Sequence, residues 1–217
     1  MRLLGKTIFF DVDTQCDFVE PWGLLCVAGA AKLKPKWKAL HELARKKGLQ
    51  VFGDVDSHYG TTEYAQSEKE LQVNAGPFPM HCAPGTRGWE HVEETRLSNP
   101  LFIPSCRLSE KDLEKSRRHR GEIIFEKQEY GLSSNKNFED LMKGVGEAVV
   151  FGIATDYCVL YGVRALLSLG IRVTGVSDAI EAIDAEAGKK AVREMKEAGA
   201  KFASTKGILA RFGQKRN

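Results

Sequence analysis

Short apolar runs alternate with stretches of helical periodicity along most of the chain. Thr7-Ile8-Phe9-Phe10, Gln50-Val51-Phe52, Glu122-Ile123-Ile124-Phe125, Ala148-Val149-Val150-Phe151 and Arg172-Val173-Thr174-Gly175-Val176 are continuous rather than alternating, the pattern of strands covered on both faces. Helical spacing predicts helices near 30–47, 111–120, 135–143 and 185–198, and over the segment in which Val159, Val163, Leu166, Leu167 and Leu169 recur. Strand and helix in alternation predict an α/β fold with a doubly wound, mainly parallel sheet. Residues 59–88, rich in Gly and Pro and bearing His81, are too long for an ordinary connection and read as either a functional or a partly disordered irregular region.

At 217 residues, with 42% hydrophobic and 28% charged positions, the chain suits one domain spanning 1–217. Its start lacks the apolar stretch of a signal peptide, and no segment reaches the length of a membrane span, so a cytoplasmic protein without a membrane partner is expected. Five cysteines, irregularly spaced, argue for reduced thiols. A net charge of +3 implies no nucleic-acid partner, and Arg117-Arg118-His119-Arg120 reads as the solvated end of an exposed helix. Residues 213–217 read as a frayed tail.

Chemistry gathers where strands end. Asp11 and Asp13 follow the first predicted strand, Asp54, Asp56 and His58 the second, and Lys127 the one ending at Phe125. Cys158 falls where a buried strand gives way to a helix, with Thr155 and Asp156 as natural caps before it. In a parallel sheet these ends converge on one edge. The helix start would depress the thiol's pKa, and its free N–H groups could hold an oxyanion. Asp13 is the candidate proton acceptor, and Lys127 would keep it ionised. A core role for Cys158 and an exposed strand-end role for Lys127 are the bland alternatives. Asp56, His58 and His81 together suit a zinc, iron or manganese ion with open positions.

Read in order, Asp13-x-Gln15-x-Asp17-Phe18, Val27-x-Gly29-Ala30, Asp56-x-His58, Phe78-Pro79-x-His81-Cys82-x-x-Gly85-Thr86, Lys127-x-x-Tyr130 and Gly152-Ile153-Ala154-Thr155-Asp156-x-Cys158-Val159 closely resemble the isochorismatase-like cysteine hydrolases, and among them the nicotinamidases. The resemblance implies a three-layer αβα fold and an Asp13, Lys127, Cys158 triad acting through a thioester. It further implies an oxyanion hole from the Ala154 and Cys158 amides and a cis peptide between Ile153 and Ala154. One divalent transition metal ion, zinc foremost, would sit on Asp56, His58 and His81 and fix a pyridine ring flanked by Phe18, Phe78 and Tyr130. The partner implied is a small carboxamide, and the assembly a homo-oligomer.

Two departures stand out. The family usually has a further histidine or a glutamate between His58 and His81, and this chain has no histidine there; Glu63 is the preferred substitute, with Glu68 and Glu70 competing. The insertion at 64–77 is long, and it would have to loop away for the three ligands to meet. A metal-free amidase of the same family is the nearest rival. The run Phe10-Asp11-Val12-Asp13-Thr14 also resembles the nucleophile motif of haloacid dehalogenase-type phosphatases, with Asp11 attacking, and a non-catalytic binding protein is the third alternative.

Overall fold

The computed structural model describes residues 6–61 and 67–213. Glu63, and the tail at 214–217, lie outside the described residues. Seven parallel strands form one sheet in the order β3-β4-β2-β1-β5-β6-β7. They are β1 (Lys6–Val12), β2 (Gln50–Asp56), β3 (Leu101–Ile103), β4 (Ile123–Lys127), β5 (Val145–Ile153), β6 (Arg172–Glu181) and β7 (Lys201–Ala203). Helices α1 (Cys16–Val19), α2 (Lys34–Lys47), α3 (Glu110–Arg117), α4 (Phe138–Met142), α5 (Cys158–Ser168), α6 (Ala185–Glu197) and α7 (Thr205–Gly213) complete the chain order. This is the three-layer αβα fold that the resemblance implied.

Neighbouring residues of β1 explain its unbroken hydrophobicity. Ile8, Phe10 and Val12 pack with Val150, Phe125 and Val163 on one face, while Phe9 packs with Trp37, Val149 and Phe151 on the other. Each such side chain removed from water contributes about 1.5–3 kcal/mol, so alternation would forfeit one of the two cores. The winding reverses at β1, which has β2 on one side and β5 on the other, and a ligand cleft belongs at the carboxyl ends of those strands. Gly152 permits the approach there: with φ +126°, a Cβ on it would stand 2.0 Å from the Val12 carbonyl oxygen.

Several boundaries differ from the periodicity. β3, β7 and α7 were not foreseen; three-residue edge strands carry too little pattern to register. Gly213, assigned to the tail, ends α7. α4 starts at Phe138 rather than 135, because the Asn135 amide turns back to the carbonyls of Ile103, Pro104 and Glu126. All five cysteines are free. Among the described residues, no helix is long and apolar enough to cross a membrane.

Candidate active site

Four loops or strand ends deliver the candidate residues to one place. Asp13 follows β1 with φ 47°, a left-handed conformation that turns its side chain out of the strand's alternation. Asp56 and Lys127 are the last residues of β2 and β4 and are cross-strand partners, so the lysine reaches the carboxylate directly. Cys158 is the first residue of α5. Lys127 Nζ donates to Asp13 Oδ2 at 2.8 Å and to Asp56, and lies 3.5 Å from Cys158 Sγ. Asp13 and Lys127 have no exposed surface, and Cys158 retains only 5%.

Electrostatics assign these groups different proton states. Burial pushes Lys127 down, but Asp13 and Asp56 outweigh it and hold the ammonium charged far above neutral pH. Burial raises Asp13 to about 7 against the pull of Lys127, which poises it to exchange protons near neutrality. The thiol departs from expectation. Burial pushes Cys158 well above the ordinary thiol range, and the Lys127 charge offsets only part of that rise. At neutral pH Sγ is therefore protonated, and an acceptor such as Asp13 is required to activate it. Nor do Thr155 and Asp156 cap α5: the flanking residue is Tyr157, without a side-chain cap, while Asp156 accepts from the backbone N–H groups of Ile183 and Asp184.

The Ile153–Ala154 peptide is cis. The Ala154, Asp156 and Cys158 amides form no hydrogen bond among the described residues, whereas the Thr155 and Tyr157 amides donate to the Glu181 and Ala154 carbonyls. The amides of Ala154 and Cys158, on either side of that turn, are thus free to donate to a ligand.

A second buried group adjoins the first. Asp56, His58, Glu70 and His81 each offer a ligand atom within 4.8 Å of the others. His81 Nδ1 donates to the Pro79 carbonyl at 2.7 Å, and Nε2 faces Asp56 Oδ2 3.7 Å away, a carboxylate that raises the His81 pKa against the effect of burial. His58 Nε2 lies 2.7 Å from Glu70 Oε1 but out of hydrogen-bonding alignment, so both atoms are buried without a partner. Burial drops His58 to about 4, leaving a neutral imidazole at pH 7. Orphaned buried nitrogen and oxygen atoms converging in this way fit a divalent transition ion.

Among the described residues, Glu70 rather than Glu68 is the carboxylate that joins Asp56, His58 and His81. Glu68, equally buried, spends its two oxygens on the Tyr59 and Gly60 N–H groups. The described part of the insertion, 67–77, does not loop away as expected. It folds back, and the bridge between Leu71 and Phe78 brings Glu70 to the histidines. Repeated acidic residues at 63, 68 and 70 carry no periodicity that could rank them; the fold distinguishes Glu68 from Glu70, and Glu63 lies outside the described residues.

Above Cys158 is a small, mostly apolar cavity of about 20 Å³. Phe18, Phe78 and Tyr130 line it, as anticipated, together with Leu25, Tyr157 and Ile183, which were not. Tyr157 stands 5.5 Å from Phe78 and 5.1 Å from Tyr130, ring centre to ring centre. Its place between Asp156 and Cys158 in the nucleophile motif was a usable hint. Ile183 was missed because the strand before it runs to Glu181 rather than Val176. Asp11, the nucleophile of the phosphatase alternative, is sealed on the opposite side of β1 by Thr14 and His41 and does not border this cavity.

The isochorismatase domain model matches residues 7–207, and the chain belongs to that family of hydrolases. Among solved structures, a pyrazinamidase of Pyrococcus horikoshii in complex with zinc is 25% identical, with TM-score 0.72, covering 92% of this chain and 99% of its own. The nicotinamidase/pyrazinamidase of Bacillus subtilis is 21% identical with TM-score 0.73, covering 92% and 100%. An N-carbamoylsarcosine amidase of Thermoplasma acidophilum is 23% identical with TM-score 0.67, covering 92% and 96%. The last two attest the shared fold. No curated protein sequence matches the chain.

Proposed function

We propose that this protein is a cysteine amidohydrolase that converts nicotinamide to nicotinate and ammonia. The observation that carries this reading is the juxtaposition of two buried clusters under one aromatic cavity: Lys127 between Asp13 and Cys158, and the converging donors of Asp56, His58, Glu70 and His81. The zinc-bound pyrazinamidase of similar fold supports it.

In this mechanism Asp13 takes the Cys158 proton as the sulfur attacks the carboxamide carbon, and Lys127 stabilises the sulfur's developing charge. The Ala154 and Cys158 amides donate to the oxyanion. Asp13 then returns the proton to the departing nitrogen, the C–N bond breaks, and ammonia leaves a thioester on Sγ. Water, deprotonated by Asp13, attacks that thioester to give the carboxylate and free thiol. Phe18, Phe78 and Tyr130 hold the ring by its faces and edges. Asp56, His58, Glu70 and His81 would hold one divalent transition ion, zinc foremost, which supplies a Lewis-acid anchor for the pyridine nitrogen.

The deciding experiment is ammonia release by the purified protein across nicotinamide, pyrazinamide, aliphatic amides and ureido compounds, with metal content determined in parallel. Nicotinamide is expected to be the preferred substrate and about one transition ion per chain to be present. A metal-free protein that refuses zinc, iron and manganese yet hydrolyses other amides would transfer the assignment to the metal-free amidases. Release from no carboxamide would overturn the amidase reading.

A further inference from the structure

β2 extends past the end of the strand beside it. Its ladder with β1 stops at Val12 opposite Asp54, where Asp13 turns into its left-handed conformation, whereas its pairing with β4 continues to Asp56 opposite Lys127. A strand residue points its N–H and its carbonyl to the same side, and the side alternates from one residue to the next. Asp54 faces β1, its carbonyl accepting from the Asp13 N–H at 3.4 Å, so Asp56 turns its own N–H and carbonyl to that side as well, beyond the end of the ladder. Asp56 is buried, and those two groups need partners.

Gln15 supplies both. Its Oε1 accepts from the Asp56 N–H at 2.9 Å and its Nε2 donates to the Asp56 carbonyl at 3.0 Å, so the side-chain amide stands where a further peptide of β1 would pair. The second Nε2 hydrogen goes to the Trp89 carbonyl at 2.9 Å. With two carbonyls to satisfy at one end and an N–H at the other, the amide has a single orientation that fits. Gln15 has no exposed surface, and its backbone is fixed in turn by a bridge to His91, in which the Cys16 N–H donates to the Glu90 carbonyl at 2.8 Å and the Val92 N–H to the Thr14 carbonyl at 3.0 Å.

The Asp56 carboxylate serves two clusters at once. Oδ1 accepts from Lys127, while Oδ2 faces His81 Nε2 at 3.7 Å and His58 Nε2 at 3.8 Å. A shift of its backbone would therefore move a shared donor away from His81, which a different segment carries. Other side chains cannot replace this clamp. Glutamate lacks the donor and would set an oxygen against the Asp56 and Trp89 carbonyls, and asparagine is one methylene short.

We propose that Gln15 is a positioning residue of the metal centre: by pairing with both backbone groups of Asp56, it holds that carboxylate where it can share a divalent ion with His58, Glu70 and His81. This inference rests on reading those four donors as a metal site. Gln15 is not among the residues that line the cavity above Cys158, and it acts through Asp56.

Cobalt(II) is the probe, because its visible absorption responds to the number and arrangement of its ligands. The native protein is expected to bind about one cobalt ion per chain. Gln15→Glu should weaken that binding by about 10–100-fold and alter the absorption at saturation. A carboxylate at this position would by its charge favour a cation, so lost affinity reports a displaced Asp56 rather than altered electrostatics. Gln15→Asn carries the same expectation should Gln15→Glu fail to fold. Trp37→Phe is the control for general loosening: Trp37 is fully buried in α2 and its Nε1 donates to the Ala179 carbonyl at 2.9 Å, so the variant should unfold earlier while keeping native cobalt affinity and absorption. Native cobalt affinity and absorption in a folded Gln15 variant overturn the positioning role, and so does an equal loss in Trp37→Phe. A native protein that binds no cobalt overturns the metal reading and this inference with it, an outcome seen before any variant is made.

Discussion

Asp11 and Asp13 are two residues apart, both wholly buried, and they do opposite things. Asp11 faces the α2 side of the sheet, where its Oδ2 accepts from Thr14 Oγ1 and from His41 Nε2 at 2.8 Å. Asp13, past the end of β1 and in a left-handed conformation, meets the Lys127 ammonium and stands with Cys158 below the aromatic cavity. One carboxylate ties a strand to a helix. The other is surrounded by groups whose protons can move. Burial alone does not mark a catalytic acid; the partners and the access to a cavity do.

The strongest way to break this contrast is at Cys158, the proposed nucleophile. Cys158→Ala should reduce carboxamide turnover by at least about a hundredfold, or about 2.7 kcal/mol of barrier, with the circular dichroism spectrum unchanged. Greater residual activity would remove Sγ from the chemistry.

Lys127→Ala should come next, because it strands Asp13 and Asp56 as uncompensated buried charges. Stability should fall by about 3–5 kcal/mol in denaturant unfolding, and Cys158 alkylation should slow. Asp13→Asn sharpens the same point through pH. With Asp13 near 7, its base form dominates above that pH, so alkylation of native protein should accelerate as pH rises through about 7. That inflection should vanish in Asp13→Asn. A persistent inflection would mean that another group accepts the thiol proton.

His58→Ala and His81→Ala should raise KM for nicotinamide by about 10–100-fold while leaving Cys158 open to alkylation, and each should lower bound metal. Equal losses in kcat and alkylation would place the histidines in the triad's chemistry instead. On the structural side of the comparison, Asp11→Asn should cost about 1–3 kcal/mol of stability with the alkylation profile intact. The smallest effect concerns Asp54, fully buried with neither carboxylate oxygen hydrogen-bonded. Asp54→Leu should raise stability by about 1 kcal/mol, read from the unfolding midpoint; destabilisation would show that the carboxyl has a partner worth keeping.

Much of this was written locally in the chain. The runs around Phe9, Val51, Ile124 and Val149 are hydrophobic without alternation, so they had to be strands covered on both sides, and parallel strands had to send their ends to one edge. Strand direction alone gathers Asp13, Asp56, Lys127 and Cys158 at that edge. Their proton states it cannot assign. Whether a helix start lowers a thiol's pKa or burial raises it depends on how much water the packed neighbours exclude, and at Cys158 burial prevails. The choice of Glu70 over Glu68 likewise rests on which carboxylate the Tyr59 and Gly60 amides consume, a long-range outcome of how 67–80 folds back. The short edge strands β3 and β7 owe their existence to neighbours rather than to their own three residues. The chain determined the layers and the meeting place of its reactive groups, because periodicity and strand direction are local. Tertiary structure alone decided which atoms were left without partners, because desolvation and hydrogen bonding are settled only when distant segments close around them.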